Sequence, residues 1–306
     1  MIIAVFPGQG SQTPGFLSPW LDLPGARERL DGFSEQAQVD LVAAGTEWDA
    51  DRIRDTRVAQ PLIVAASLLS WHALSERTAT RPGGAAGHSV GEIAALVAAG
   101  VLADDDGMAL VGLRGRAMAD AAALEQTGMS AVLGGDTAEV LARLEGLGLT
   151  AANHNGGGQI VAAGSLPALA ELADAPVAGT RVIPLQVAGA FHTRYMEPAV
   201  AALREAAAAL APRSPELTLW TNADGSVVAD GRAALDLLVA QVASPVRWDL
   251  CMSAFADAGA TGIIEFSPAG TLAGLVKRGL RGTPTVAIKT PDDLDAAVAL
   301  LNGADA

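Results

Sequence analysis

Cysteine, basic residues and long apolar runs are all scarce in this chain, and each shortage excludes a class of protein. The single cysteine, Cys251, rules out an internal disulfide and a cysteine-based metal cluster. Lys and Arg total 20 against 34 Asp and Glu, and the resulting formal net charge of −14 argues against a nucleic-acid partner. No apolar run reaches about 18 residues without a charge or a break, so we expect no membrane span. The strand-like N-terminus is not a signal peptide, and we expect a soluble, cytoplasmic protein.

Motifs for metals and nucleotides are also missing from the sequence. There is no H-E-x-x-H, no G-x-x-x-x-G-K-[ST] loop and no complete G-x-G-x-x-G after a strand. Gly8 and Gly10 begin the last of these motifs, but Thr13 stands where its third glycine is required. The sequence therefore predicts neither a metal site nor a bound cofactor.

Segments of strand and helix character alternate along most of the 306 residues. This alternation predicts an α/β fold with a mostly parallel sheet. Residues 127–188 differ, because their segments follow the βαββαβ order of a ferredoxin-like unit. We therefore predict a large α/β domain over 1–126 and 189–306, with a small subdomain inserted over 127–188. One predicted helix of the large domain covers residues 61–77, with Pro61 as its first residue.

Residues 87–92, of sequence GHSVGE, have the form G-x-S-x-G of a nucleophile elbow. In an elbow the serine, here Ser89, lies on a tight turn between a strand and a helix. Gly87 and Gly91 leave the space that such a turn requires, and the helix that follows directs its free N–H groups at a developing oxyanion. The alternative is a chance match in a chain rich in glycine and alanine. The weak β propensity of residues 85–87 counts against the elbow.

A serine nucleophile needs a base, and the chain offers four histidines. His72 falls in a predicted helix, His154 falls in the small subdomain, and the turn should direct His88 away from the Ser89 hydroxyl. His192 follows Ser89 in chain order, as in α/β-hydrolase-type enzymes, so we predict His192 as the base. A structural loop histidine is the alternative. No Asp or Glu stands out as its partner, but a backbone carbonyl suffices because the ring needs only an acceptor for its second N–H.

Two further features favour a ligand site. Gly8 and Gly10 flank Gln9 just past a predicted strand, where glycines let the backbone approach a ligand, although a simple turn is the alternative. Arg114 lies at the centre of an apolar helical stripe. An inward guanidinium is costly unless an anion binds it, so Arg114 predicts either an anionic ligand or a structural ion pair. A snorkelling side chain is a third possibility.

Seven motifs occur in a fixed order and together carry a family resemblance. They are FPGQGSQ at 6–12, GHSVGE at 87–92, LRGR at 113–116, ANHN at 152–155 with Gln159, GAFHT at 189–193, Gln241 with SPVRW at 244–248, and the segment from Pro268 to Arg278. The chain resembles the malonyl-CoA:acyl carrier protein transacylases, acyltransferases of fatty acid and polyketide synthesis. The resemblance implies an α/β-hydrolase-like large domain with a ferredoxin-like insert, in agreement with the alternation described above.

The resemblance also implies a catalytic role for each matching residue. Ser89 would be the nucleophile and His192 its base, oriented by the backbone carbonyl of Gln241. The backbone N–H groups of Gln9 and Val90 would form the oxyanion hole. The reaction would be ping-pong transfer through an acyl-enzyme, with no metal and no cofactor other than the coenzyme A thioester, which is the substrate.

A substrate and a partner follow from the same resemblance. Arg114 would bind the free carboxylate of malonyl-CoA with a two-pronged hydrogen bond. The pocket candidates are Asn153, Asn155 and Phe191. Acyl carrier proteins are acidic, as is this chain, so docking requires a local basic patch; the candidates are Lys277, Arg278 and Arg281. A solvated surface is the alternative for these three residues, and we expect a monomer.

The predicted function is transfer of a malonyl group from malonyl-CoA to the phosphopantetheine thiol of acyl carrier protein, for fatty acid synthesis. One alternative is an acyltransferase of a polyketide pathway, with the same chemistry and another carrier. The other is a serine thioesterase or esterase, which would give no reason for Arg114. Phe191 before His192 resembles the malonyl-selecting form, and a free-standing chain favours fatty acid synthesis. The sequence leaves open the carrier protein, the oligomeric state and the tolerance for substituted malonyl groups.

Overall fold

The structure is a computed structural model that describes residues 1–303 and contains two separate β-sheets. The strands are β1 (Ile2–Phe6), β2 (Gly84–Gly87), β3 (Thr127–Gly134), β4 (Thr150–Gly156), β5 (Gln159–Ser165), β6 (Thr180–Pro184), β7 (Thr218–Leu219), β8 (Gly262–Glu265) and β9 (Thr285–Ala287). The helices are α1 (Ala26–Ala37), α2 (Leu41–Thr46), α3 (Ala50–Arg54), α4 (Thr56–Arg77), α5 (Gly91–Ala98), α6 (Asp104–Ala122), α7 (Thr137–Gly146), α8 (Leu166–Asp174), α9 (Glu197–Ala209), α10 (Gly231–Gln241), α11 (Trp248–Asp257), α12 (Thr271–Gly279) and α13 (Leu294–Leu301).

The larger sheet has the strand order β7-β2-β1-β8-β9, and all of its pairings are parallel. Its central strand β1 has the apolar sequence IIAVF and is almost wholly buried, as expected for a parallel strand covered by helices on both faces. One core cluster joins Phe6 to α4, α5 and α6, and a second joins Ile3 and Val5 to α11 and α12. The predicted α/β fold with a mostly parallel sheet is confirmed.

The smaller sheet is antiparallel, with the strand order β4-β5-β3-β6. Its elements follow the chain as β3-α7-β4-β5-α8-β6. Val140 and Leu144 of α7 and Leu169 and Leu172 of α8 form an apolar cluster with Val132 of β3. The two helices therefore cover one face of this sheet and leave the other face to the larger lobe.

Helix α4 starts earlier than the sequence predicts. It begins at Thr56 rather than at Pro61, because the carboxylate of Asp55 accepts the N–H of Arg57 and caps the helix earlier. Among the described residues, α4 is also long and apolar enough to cross a membrane by length and composition. However, 83% of its most apolar window is buried inside the protein, as in the core helix of a packed domain.

Candidate active site

The site is built around a sharp turn between β2 and α5. Ser89 lies in this turn with a φ of 54°, in the left-handed region. A Cβ at Gly87 would lie 1.9 Å from the carbonyl carbon of Gly91, and a Cβ at Gly91 would lie 2.2 Å from the carbonyl oxygen of Phe6. The strand–turn–helix geometry expected of GHSVGE is therefore present, and both glycines are required by space. A left-handed non-glycine residue costs about 1–2 kcal/mol, so the surroundings must hold Ser89 in place.

The small residues of β2 have a packing reason. A Cβ at Gly84 would lie 2.3 Å from the indole ring of Trp220, which is itself buried. Ala85 and Ala86 are fully buried between β1 and β7. The indole fills the space that larger strand residues would occupy, so burial and ladder bonds offset the weak β propensity of this segment.

Ser89 and His192 form the expected pair. The Ser89 Oγ lies 2.7 Å from His192 Nε2, and His192 Nδ1 lies 2.8 Å from the backbone carbonyl of Gln241. Because a carbonyl only accepts, Nδ1 carries the proton and Nε2 is free to accept the Ser89 hydroxyl. His192 is buried and, like Ser89, has a positive φ, of 60°. The arrangement is able to take a proton from Ser89.

Burial and a neighbouring charge keep the imidazole neutral. Burial first, and then the positive charge of Arg114, lower the pKa of His192 from the ordinary 6.5 to about 3. The hydrogen bond to the Gln241 carbonyl opposes this shift only in part. His192 is therefore a neutral acceptor at pH 7, which is the protonation state that a general base needs.

Arg114 projects from α6 into the interior and is fully buried. Its Nη1 donates to Gln60 Oε1 at 2.7 Å, its Nη2 donates to Gln241 Oε1 at 2.9 Å, and Nη2 also lies 3.5 Å from Ser89 Oγ. Its Nε has no partner, and no carboxylate of the described chain lies within 4.0 Å of the guanidinium. The structural ion pair and the snorkelling side chain are therefore both wrong for Arg114.

Glu92 is a second buried charge behind the nucleophile. Its carboxylate accepts the backbone N–H of Asn222 and the side-chain Nε2 of Gln241, the latter at 2.6 Å. Burial raises the pKa of Glu92 to about 7, against the lowering effects of its hydrogen bonds and of Arg114. Burial also lowers the pKa of Arg114 to about 10, so the guanidinium stays charged at neutral pH.

A cavity of about 260 Å³ opens in front of Ser89, between the two lobes. The larger lobe contributes Gln9, His88 and Phe191, and the smaller lobe contributes residues that include Asn153 and Asn155. The structure thus brings all three pocket candidates to the nucleophile. His88 Nε2 donates to Asn155 Oδ1 at 2.9 Å, away from the Ser89 hydroxyl, as expected.

The two backbone N–H groups predicted for the oxyanion hole lie at the cavity and at the start of α5. Gln9 lines the cavity, and Val90 is the residue that precedes the first turn of α5. Within residues 1–303, neither backbone N–H donates to a protein acceptor. No group of three or more His, Cys, Asp or Glu side chains in this described part is arranged to hold a metal ion.

The docking candidates lie at the end of α12, whose first half lines the cavity. Lys277, Arg278 and Arg281 are exposed, and none of them forms an ion pair within the described chain. Arg278 Nη2 donates to Oε1 of Gln159, a cavity residue, at 3.0 Å. The patch therefore borders the cavity mouth.

The sequence predicted no role for three residues of the site, and for a fourth it predicted no role for the side chain. Gln60, Glu92 and Asn222 have no predicted role, and only the backbone of Gln241 was assigned. Two of them left a signal: Gln60 is a polar residue on the buried side of α4, and Asn222 follows β7, at the carboxyl edge of the parallel sheet. Polar residues at that edge are frequent ligand or catalytic neighbours.

Comparison with known proteins agrees with this geometry. The sequence profile of the acyl transferase domain matches residues 3–300. The chain belongs to the acyl transferase domain family. A malonyl CoA-acyl carrier protein transacylase of Mycobacterium tuberculosis is 54% identical to this acyltransferase over 297 residues, which cover 96% of this chain and 98% of that protein.

Solved structures of the family share the whole fold of this acyltransferase. The crystal structure of MCAT from Mycobacterium tuberculosis superposes with a TM-score of 0.94 at 54% identity and covers 97% of this chain and 99% of that chain. A malonyl-transacylase in complex with the holo acyl-carrier protein of a type II polyketide synthase gives a TM-score of 0.92 at 29% identity. That alignment covers 98% of this chain and 99% of the other.

The lowered pKa of His192 gives a direct prediction. The imidazole should show no titration between pH 5 and 8 in long-range ¹H–¹⁵N spectra, assigned by comparison with His192→Asn. In Arg114→Gln the repelling charge is gone, so the pKa of His192 should rise by about one pH unit or more. A His192 midpoint between pH 6 and 7 in the unaltered protein would contradict the assigned environment.

Proposed function

We propose that this acyltransferase transfers a malonyl group from malonyl-CoA to the phosphopantetheine thiol of an acyl carrier protein, as an extender unit for fatty acid synthesis. One observation carries the proposal: the fully buried Arg114 has no carboxylate partner and lies 3.5 Å from Ser89 Oγ. A buried cation beside a nucleophile needs an anion, and an acyl group with its own carboxylate supplies one. The names of the relatives agree with this substrate.

The first half-reaction begins at the Ser89 hydroxyl. His192 Nε2 takes the proton as Oγ attacks the thioester carbonyl of malonyl-CoA. The tetrahedral intermediate collapses, the C–S bond breaks, and the proton on His192 passes to the leaving thiolate of coenzyme A. In the second half-reaction the carrier thiol gives its proton to His192 and attacks the Ser89 ester, and Ser89 Oγ then recovers that proton.

The negative charge of each intermediate falls on the former carbonyl oxygen. We assign its stabilisation to the backbone N–H groups of Gln9 and Val90, which are free of protein acceptors in the described chain. Val90 also precedes the N-terminus of α5, where the helix dipole favours an anion. Each donor of such a hole contributes about 3–4 kcal/mol to transition-state binding in comparable enzymes.

Malonyl selectivity follows from the fixed position of the guanidinium. Gln60 and Gln241 offer neutral amide oxygens to Arg114, and neither neutralises its charge. A carboxylate two carbons away from the carbonyl attacked by Ser89 is within reach of the guanidinium. An acetyl group has no such carboxylate and leaves the buried charge unpaired. We assign the remaining pocket wall to Asn153, Asn155 and Phe191.

We also propose the finer description of the fold. Residues 127–188 form a ferredoxin-like subdomain, since the order β4-β5-β3-β6 places the first and third strands of the βαββαβ unit at the centre. The remainder, 1–126 and 189–306, of which residues 304–306 lie outside the described part, is the α/β-hydrolase-like catalytic domain. We also propose that the protein is a cytoplasmic monomer and acts without a cofactor.

A polyketide pathway is the second candidate, because one structural neighbour is bound to a type II polyketide acyl-carrier protein. The chemistry of the site is the same for both carriers. A hydrolase is disfavoured, because it would give the buried Arg114 no role.

Intact mass spectrometry tests the proposal. Brief exposure to malonyl-CoA should add one malonyl group to the protein, and Ser89→Ala should gain none. The adduct should pass to holo acyl carrier protein within seconds and persist without it. Loss of the adduct to water at the same rate with and without carrier protein would establish a hydrolase instead.

Arg114→Ala should reverse the acyl preference. We expect acylation by malonyl-CoA to fall by about 100-fold or more, since charged hydrogen bonds contribute about 1.5–3 kcal/mol each. Acylation by acetyl-CoA should fall much less, which competition between the two thioesters measures. Arg116→Ala is the matched control, because Arg116 lies on the same helix and bonds only to the Ala37 carbonyl. Unchanged selectivity in Arg114→Ala would remove the assigned role.

Charge reversal tests the docking patch. In the double variant Lys277→Glu/Arg281→Glu the KM for carrier protein should rise by about tenfold and its salt dependence should weaken. Acylation by malonyl-CoA should stay unchanged. The matched control reverses Arg27 of α1 and Arg204 of α9, which are exposed and unpaired within the described chain. Equal effects of the two double variants would show that only net charge matters.

A further inference from the structure

Asn222 continues the β7–β2 ladder with its side chain. The backbone N–H groups of Thr218 and Trp220 donate, at 3.2 Å each, to carbonyls on the β2 side of the ladder. At the next rung, the Gly87 carbonyl accepts from the Nδ2 of Asn222 at 2.7 Å. The backbone N–H of Asn222 is diverted to the carboxylate of Glu92. A fully buried side-chain amide thus replaces a peptide group where the strand has ended.

The same amide also holds the nucleophile. Asn222 Oδ1 accepts the backbone N–H of Ser89 at 2.8 Å. Gln241 Nε2 lies 3.1 Å from the Ser89 carbonyl and 3.1 Å from Asn222 Oδ1. Both polar backbone groups of the left-handed Ser89 are therefore bound by side chains from other parts of the chain.

The orientation of both amides is dictated by partners that can only accept. The Gly87 carbonyl requires an N–H, so Asn222 Nδ2 faces it and Oδ1 faces Ser89. The Ser89 carbonyl likewise requires an N–H from Gln241 Nε2, and Arg114, which can only donate, requires Gln241 Oε1. Neither amide can flip without placing two acceptors, or two donors, together in a buried site.

We propose that Asn222 is a positioning residue of the reaction, which holds Ser89 in its left-handed conformation with Oγ directed at His192. The inference rests on the proposed role of Ser89 as nucleophile. Asn222 is fully buried and does not line the cavity, so it acts through the backbone of Gly87 and Ser89. Because the Ser89 N–H already donates to Asn222, other backbone N–H groups must stabilise the oxyanion.

The test uses a neutral fluorophosphonate probe, which reacts with an activated serine and needs no malonyl carboxylate. The measured quantity is the labelling rate at Ser89 in the full-length protein, located by peptide mass. We expect Asn222→Ala to label at least tenfold more slowly than the unaltered protein. Its kcat for malonyl transfer should fall in parallel while the KM for malonyl-CoA changes less than threefold, because Arg114 and the cavity remain.

Ser67→Ala is the matched control for lost stability. The fully buried Ser67 Oγ donates to the Ser267 carbonyl at 2.8 Å, and this hydroxyl forms no hydrogen bond with residues of the elbow. This variant should lower the melting temperature and leave the labelling rate unchanged. If Asn222→Ala does not fold, the nearly isosteric Asn222→Asp takes its place; it sets a second acceptor against the Gly87 carbonyl and should also label at least tenfold more slowly.

The outcomes separate this inference from the proposed function. A folded Asn222 variant that labels within twofold of the unaltered protein overturns the positioning role, as does a raised KM with unchanged kcat. Absence of labelling at Ser89 in the unaltered protein overturns it as well. Normal labelling that is slowed in the Asn222 variants, without any malonyl adduct, supports the positioning role and refutes only the proposed substrate.

Discussion

The left-handed backbone of Ser89 is the constraint on which the rest of this site depends. The turn needs β2 and α5 almost in contact, which only Gly87 and Gly91 allow. Their missing side chains let the two backbones pack directly against each other. The indole of Trp220 supplies packing beside β2, and side-chain amides supply the polar contacts. Backbone strain at the reacting residue is thus compensated by neighbours that are themselves buried.

Burial of charge links the acid–base chemistry to substrate choice. Arg114 and Glu92 lie in the same interior, and each is hydrogen-bonded to neutral amides rather than directly to the other. The guanidinium, which Glu92 stabilises without direct contact, has two effects. It lowers the pKa of His192, which keeps the imidazole neutral. It also favours the binding of an anion close to Ser89. In the proposed mechanism, a single buried cation therefore serves both the nucleophile pair and the binding of an acidic acyl group.

Local sequence patterns predicted several residues of this site, but they did not predict the contacts between residues that are far apart in the chain. Spacing indicated an elbow at Ser89, with a chance match as the alternative, and placed Arg114 on an apolar helical stripe, since turns and helical stripes are local. The amide contacts could not be foreseen, because Asn222 lies 133 residues from Ser89 in the chain and Gln241 lies 152 residues away. The start of α4 was wrong for a related reason. Pro61 is a plausible first residue, but the competing cap at Asp55 decides the boundary.

The short segment after Gln241 couples the base to the wall of the pocket. The carbonyl of Gln241 accepts a hydrogen bond from Nδ1–H of His192. Five residues later, Val246 pairs with β4 of the smaller lobe. The backbone of Val246 exchanges two hydrogen bonds with β4, each of 2.9 Å. The same strand carries Asn153 and Asn155 into the cavity. One short stretch of chain therefore connects the carbonyl that binds His192 to the strand that lines the pocket.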